Sequence, residues 1–146
     1  MRSKKTCKVT VMETRFIVAS LIRDGNNILL GQKSKGKGPY PDSWHIPGGG
    51  LQKNESCKGV MIREIREETG LKVKNLKEAA WDTDIEPDKY GKSTHYVFLQ
   101  FTSDLLGGKL ASGDDMRHLE WVNIKDLPKY NLNKPTKIFF KKMGLL

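Results

Sequence analysis

Hydrophobic and polar positions along this chain alternate mostly with the period of two expected of strands, interrupted by two stretches with a helical period. Residues 14–22, TRFIVASLI, form a β-branched, mostly apolar run, and Asp24-Gly25-Asn26-Asn27 is a turn cluster leading into ILLGQK. The pair predicts a hairpin. Residues 94–102, THYVFLQFT, alternate aromatic and aliphatic positions as a buried strand does. HLEWVNI at 118–124 reads as another short strand, and LKVKNLKEAAW from Leu71 onward as one or two more. Between these, DTDIEPDKYGKS reads as an acidic loop, Gly107-Gly108 as a turn within 105–109, and Asp126-Leu127-Pro128 as a further turn.

The first helical stretch has Cys57, Met61 and Ile65 as its apolar stripe, Asn54 or Ser56 as its cap and Gly70 as a left-handed stop. The second lies in NKPTKIFFKKMGLL, with Pro135 near the first helical position and Ile138, Phe139 and Met143 at helical spacing. SKGKGPYPDSW at 34–44 is too rich in Gly, Pro and Lys for regular structure and is expected to be a mobile surface loop. In the HIPGGGLQKNES that follows, three successive glycines let the backbone approach a ligand closely. With no repeats, low-complexity blocks or linker, the pattern predicts an α/β fold: a mixed β-sheet flanked by helices in one layered domain over 1–146.

A length of 146 residues suits one domain with a real core. No run is long and apolar enough to span a bilayer, and the charged N-terminal region does not resemble a signal-peptide core, so a soluble, cytoplasmic protein without a membrane partner is expected. Cys7 and Cys57 lie far apart and outside any Cys/His spacing, which signals neither a disulfide framework nor zinc. The net charge of +9 attracts anions, either phosphorylated small molecules or nucleic acid. Because the basic residues are not interleaved with aromatics, small anions are the better fit and nucleic acid is not the expected partner.

The first helix carries the chemistry. In REIREETG, Glu64, Glu67 and Glu68 stand at i, i+3 and i+4, so their side chains share one face. Like charges at that spacing cost roughly 0.2–0.5 kcal/mol per pair on an isolated helix, which Arg63 and Arg66 offset only in part. Such a cluster is either a solvated face laced with ion pairs or a site for a hard cation, which takes carboxylate oxygens together with waters and phosphates.

Gly49, Glu55, Arg63, Glu64, Ile65, Glu67, Glu68, Gly70 and Leu71 match at every specified position the signature G-x5-E-x7-R-E-U-x-E-E-x-G-U, in which U is a bulky aliphatic residue. On these residues the chain resembles the Nudix hydrolases, of MutT-like type, with the signature at 49–71. The W-x-x-P-G-G lead-in, the late E-W-V strand and the D-L-P turn are also similar to that family. The resemblance implies the Nudix fold, an α/β/α sandwich, and hydrolysis of a nucleoside diphosphate linked to another moiety. It implies Mg²⁺, with Mn²⁺ as a substitute, held by Glu64, Glu67, Glu68 and the Gly49 carbonyl. Arg63 and Glu55 would hold those ligands in place.

The family often draws its general base from an acidic residue ahead of the late tryptophan strand. Asp114 and Asp115 precede Trp121 at that distance, and Asp115 is favoured; relatives often carry glutamate there, so Glu120 or a signature glutamate is the alternative. An ordinary turn at Gly113-Asp114-Asp115 is the structural reading of the same residues.

For substrate contacts, Lys33 is a point charge suited to phosphate, Trp44 is a stacking candidate along with Tyr40, His45, Trp81 and Phe98, and Arg15 is a further cation. Asn131 and Asn133 can read a base edge, although Asn133 can equally cap the last helix. His95 and His118 have no sequence partner that would make a catalytic dyad. YPDSWHIPGGGL and LPKYNLNKPTKIFFKKMGLL are similar to the Nudix nucleoside triphosphatases that favour pyrimidine deoxynucleotides, which implies a nucleotide small-molecule substrate. The alternatives are a Nudix enzyme acting on ADP-ribose, a dinucleotide polyphosphate or capped RNA, and a non-catalytic binding module. The complete signature argues against the last. A homodimer is compatible with the family resemblance.

Overall fold

A computed structural model describes residues 12–33, 39–113 and 116–146. The chain order is β1 (Thr14–Asp24), β2 (Asn27–Lys33), β3 (Trp44–His45), β4 (Gly48–Gly50), α1 (Cys57–Thr69), β5 (Leu71–Pro87), β6 (Ser93–Gly108), β7 (Met116–Asn123), a 3₁₀ helix (Ile124–Lys129) and α2 (Lys134–Lys142).

The strands form a mixed sheet in the order β3-β2-β1-β6-β5, with β4 also pairing with β1 and β7 with β2. Only β1 and β6 run parallel, in a register that sets Ile17 beside Phe98 and Ala19 beside Gln100; the other pairs are antiparallel. β1 pairs with β2 only at Arg23 and Asp24, next to the Gly25 turn, because farther back its edge is taken by β4. The expected hairpin is therefore present but short.

Strand alternation sorts the apolar residues into two cores. Val18, Ile22, Leu29 and Phe101 face one side and pack with Val60, Met61 and Ile65 of α1. Leu21, Ile28 and Leu30 face the other and pack with Phe139 and Phe140 of α2. The result is the α/β/α layering expected from the pattern, since each helix buries one apolar stripe on one sheet face.

Several local expectations are corrected. Residues 82–87 are not loop: β5 continues through Pro87, and only 88–92 turn, with Asp88 Oδ1 accepting from the backbone N–H of Tyr90 and Lys92 at 2.9 and 3.0 Å. Pairing along most of β6 outweighs the acidic composition of that stretch, with irregularities between Lys74 and Lys77 and between Glu78 and Ala80. Gly107 and Gly108 are likewise the end of β6 rather than a turn, and Asp126-Leu127-Pro128 lies within a 3₁₀ helix. In α2 the buried aromatic pair is Phe139 and Phe140, whereas Met143 is 39% exposed.

Of the 34–44 loop, residues 34–38 lie outside the described residues. Tyr40 is tied down: its hydroxyl donates to Asp84 of β5, which also takes Lys134 Nζ at 3.1 Å.

Candidate active site

Ser56 opens α1, its hydroxyl accepting from Gly59 N at 3.1 Å, and Gly70 closes it at φ +74° with its N–H on Arg66 O. Val60, Met61, Ile65 and Thr69 are buried, which fixes the rotation of the helix and turns Arg63, Glu64, Glu67 and Glu68 away from the core. Of these, Glu64 and Glu68 stand against β4, the glycine strand.

Arg63 is the organiser. Its Nη2 donates to both oxygens of Glu55 at 3.1 and 3.2 Å, and its Nη1 reaches Glu64 Oε1 at 3.2 Å and Glu67 Oε2 at 3.3 Å. A guanidinium fork can hold three carboxylates at once, which an ammonium could not do with the same geometry. Glu55, just before the helix, is thereby linked to two signature glutamates.

Glu68 turns the other way, its Oε2 accepting from Gly48 N at 3.3 Å. Burial, then the nearby charge of Glu64, pushes the Glu68 carboxyl up to about 8, against the opposing effects of the Gly48 N–H and of Lys33. Glu64 is raised as well, by burial first, with Arg63 opposing. Gly49 presses on Glu64: a Cβ added there would lie 2.5 Å from the Glu64 carboxyl carbon. This position requires glycine because the backbone itself forms the wall against the carboxylate.

Among the described residues, no three Asp, Glu, His or Cys side chains converge tightly enough to hold an ion by themselves. Arg63 holds Glu64 and Glu67, while Glu68 reaches Gly48 N and stays within hydrogen-bonding reach of Glu64. The donor set still fits a hard divalent ion. It consists of oxygens only, it includes a mutually repelling Glu64/Glu68 pair, and Mg²⁺ needs just one or two carboxylates when waters and phosphate complete its shell.

Beyond β4 lies a cleft of about 560 Å³ on the α2 side of the sheet. Gly48, Gly49 and Gly50 form one edge, Tyr96, Phe98 and Gln100 of β6 line it, and Lys33, His45 and Asn133 contribute polar groups. The glycine strand thus separates a carboxylate cluster from a cavity large enough for a small-molecule ligand.

The residues expected in the site divide accordingly. Glu55, Arg63, Glu64, Glu67, Glu68 and Gly49 are gathered on α1 and β4; Lys33 and Asn133 line the cleft, as do Tyr40, His45, Phe98 and Arg15. Asn133 also caps α2, accepting from Thr136 N at 2.9 Å. Trp44 is not among the cleft's lining residues; it packs edge-on against Tyr130 at 5.2 Å and joins the α2-side core. Trp81 stands exposed on β5. Asp114 and Asp115 lie outside the described residues, and Glu120 accepts from Tyr130 Oη at 2.6 Å. Gln100 and Tyr96 are lining residues that the sequence reading missed. Their signal was the single amide in the apolar run 94–102, on the same side of the strand as Phe98 by alternation.

The family model described as NUDIX domain matches residues 13–143. The chain belongs to the Nudix family. It is 30% identical over 141 residues to the protein named nucleoside triphosphatase NudI of Klebsiella pneumoniae (strain 342), covering 92% of this chain and 100% of that one. It is 33% identical over 114 residues to a protein named ADP-ribose pyrophosphatase from Methanocaldococcus jannaschii, covering 77% of this chain and 63% of that one. A crystal structure of a MutT NUDIX hydrolase from Burkholderia pseudomallei superposes with a TM-score of 0.77 at 22% identity, over 89% of this chain and 98% of that one, which bears on the fold alone. By family and relatives, this Nudix chain is a pyrophosphohydrolase.

Proposed function

We propose that this Nudix enzyme is a single domain over 1–146 that hydrolyses nucleoside triphosphates to the monophosphate and pyrophosphate in the cytoplasm, with Mg²⁺ as the working ion and Mn²⁺ as a substitute. The observation that carries the reading is the placement of the carboxylates and the cleft on either side of one glycine strand, with Glu68 on Gly48 N and Glu64 against Gly49. A nucleoside in the cleft would have its phosphates leave past β4 toward α1. The relative named nucleoside triphosphatase, similar over its whole length, supports the same substrate class.

When bound, the divalent ion neutralises phosphate oxygens and lowers the pKa of a bound water. Glu64, Glu67, Glu68 and the Gly49 carbonyl are the groups that would hold it. Arg63, braced by Glu55, keeps Glu64 and Glu67 from splaying, and the Gly48 N–H does the same for Glu68. Lys33 lines the cleft and lies close enough to lower the Glu68 pKa, which supports its ammonium as a phosphate contact. Asp115 is our choice for the group that takes the proton from the attacking water. Asn133 remains a base-contact candidate from its place in the cleft, and Trp44 would support the β3 wall from behind.

The test is a release assay with Mg²⁺ over the eight common NTPs and dNTPs, ADP-ribose, a dinucleotide polyphosphate and a nucleotide sugar, with products resolved by chromatography. Monophosphate plus pyrophosphate from triphosphates is the expected result. Turnover confined to ADP-ribose, the substrate in the name of the second relative, would replace the triphosphatase reading with a diphosphatase one. No turnover with either ion would favour a binding module.

A further inference from the structure

Among the described residues, two buried side-chain polar atoms lack any hydrogen-bond partner: His45 Nε2 and Gln100 Oε1. Both residues line the same cleft, with relative exposures of 8% for His45 and 3% for Gln100. Buried polar atoms are nearly always paired, and leaving one unpaired costs about 1–3 kcal/mol. Two such atoms in one cavity call for a reason.

Their neighbours fix what each can do. His45 Nδ1 lies 2.8 Å from Ile46 O, and a carbonyl only accepts, so the ring proton sits on Nδ1 and Nε2 presents a lone pair. Burial, with Lys33 adding to it, lowers the imidazole to about 4, which keeps the ring neutral near pH 7. Gln100 Nε2 donates to Pro135 O at 3.4 Å, which assigns the amide nitrogen to that side and leaves Oε1 free to accept. The two orphan atoms are therefore both acceptors. The walls around them are apolar and aromatic, with Phe98, Tyr96, Ile17, Ile46 and Pro135, as suits a flat heterocycle.

The bases differ in what they offer to two acceptors. Cytosine, adenine and guanine carry an exocyclic amino group with two N–H donors, whereas uracil and thymine have a single N–H flanked by carbonyls. A carbonyl brought against a lone pair that is closed to water repels it and stays unsatisfied.

We propose that His45 and Gln100 are specificity-determining residues that make the cleft select nucleotides whose base carries an exocyclic amino group and reject those of uracil and thymine. The inference rests on the nucleotide reading above and refines it. Both acceptors are already shut off from water, so a donor that reaches them displaces no solvent from the protein side. Both atoms lie just behind the cleft surface, so a donor reaches them only as the side chains of His45 and Gln100 turn toward it. A site built to hydrogen-bond a substrate group discriminates strongly against the analogue lacking it, because its own buried polar groups are then left unpaired.

The experiment compares kcat/KM for dCTP and dUTP, which match closely in shape and differ at the amino position. Wild-type enzyme is expected to prefer dCTP at least tenfold, and Gln100→Leu, which keeps the bulk but removes the acceptor, to bring the ratio within about threefold, mostly by losing dCTP activity. Calorimetric binding of dCMP and dUMP to the wild-type enzyme without metal gives the same comparison independently of turnover and of any variant's folding. Equal kcat/KM for the two triphosphates in wild type, an unchanged ratio in a folded Gln100→Leu enzyme, or equal or absent binding of the two monophosphates would overturn the proposal. Failure of the triphosphatase reading looks different: no triphosphate is hydrolysed, and the binding comparison then decides base selection alone.

Discussion

Replacing Gly49 with alanine separates catalysis from folding. Its backbone does not lie in the left-handed region, so alanine is sterically admissible for the main chain, and losing glycine's unfolded-state freedom contributes about 0.4–1 kcal/mol of stability. The added methyl meets a side chain: it would sit 2.5 Å from the Glu64 carboxyl carbon and 2.7 Å from each carboxylate oxygen, where ordinary contact is 3.4–4 Å. Glu64 must therefore retreat by about 1 Å, an amount that typically costs on the order of a hundredfold in rate when a positioned group is displaced. The neighbouring glycines are built-in controls. A Cβ at Gly50 has nothing within 4 Å, while one at Gly48 would lie 2.1 Å from Val18 O, a backbone atom that cannot yield cheaply. Pyrophosphate release titrated against Mg²⁺, alongside thermal unfolding in EDTA, reads the difference. Gly49→Ala is expected to keep its melting temperature while losing about a hundredfold in kcat and needing more Mg²⁺. Gly50→Ala should match wild type, and Gly48→Ala should lose stability. A Gly49→Ala enzyme with full turnover at the wild-type Mg²⁺ requirement would refute the placement of Glu64 in the metal site.

Three further outcomes are expected. Because the folded Glu68 carboxyl is raised to about 8, the metal-free protein binds an extra proton between the unfolded value near 4.5 and about 8; its stability should fall as pH rises through that window, by at most about 5 kcal/mol, and Glu68→Gln should flatten the melting-temperature profile in EDTA. Arg63→Lys keeps the charge but not the fork that joins Glu55, Glu64 and Glu67; the melting temperature should hardly move because these ion pairs are solvent-exposed, whereas kcat should drop about 10–100-fold, and unchanged kcat would remove Arg63 from the positioning role. Gly70→Ala, at φ +74° and with its Cβ 2.4 Å from Lys109 O, should cost at least about 1–2 kcal/mol and lower the melting temperature by several degrees in a thermal scan.

The carboxylate face of α1 was legible before any coordinates because helical spacing is local: Ser56, Gly70 and the Met61/Ile65 stripe dictate which way Glu64, Glu67 and Glu68 point. The same holds for the strand at 14–22 and for the cap at Asn133, where alternation or a single side chain decides the outcome. Residues 82–87 were misread because charge did not mark the exposed side there: Asp82, Asp84 and Glu86 sit on the half-buried face of β5, where Tyr40 and Lys134 pair Asp84, while Thr83 and Ile85 face outward. Trp44 looked like a stacking platform until Tyr130, distant in sequence, filled the space against its ring.

What the sequence determined by itself is the chemistry: a glycine, an arginine and four glutamates at spacings that a helix and its approach loop must bring to one side. What only the tertiary structure decided is where the cleft lies and which side chains line it. β1 and β6 pair in parallel across some eighty residues of chain, so Ala19 sits between Gln100 and Gly48 by sheet register and not by any local pattern, and His45 joins them in lining the cleft. A side chain's propensity is carried by its own residue and near neighbours, whereas a cleft is the space left between elements, and its shape and unpaired acceptors exist only once those elements have packed.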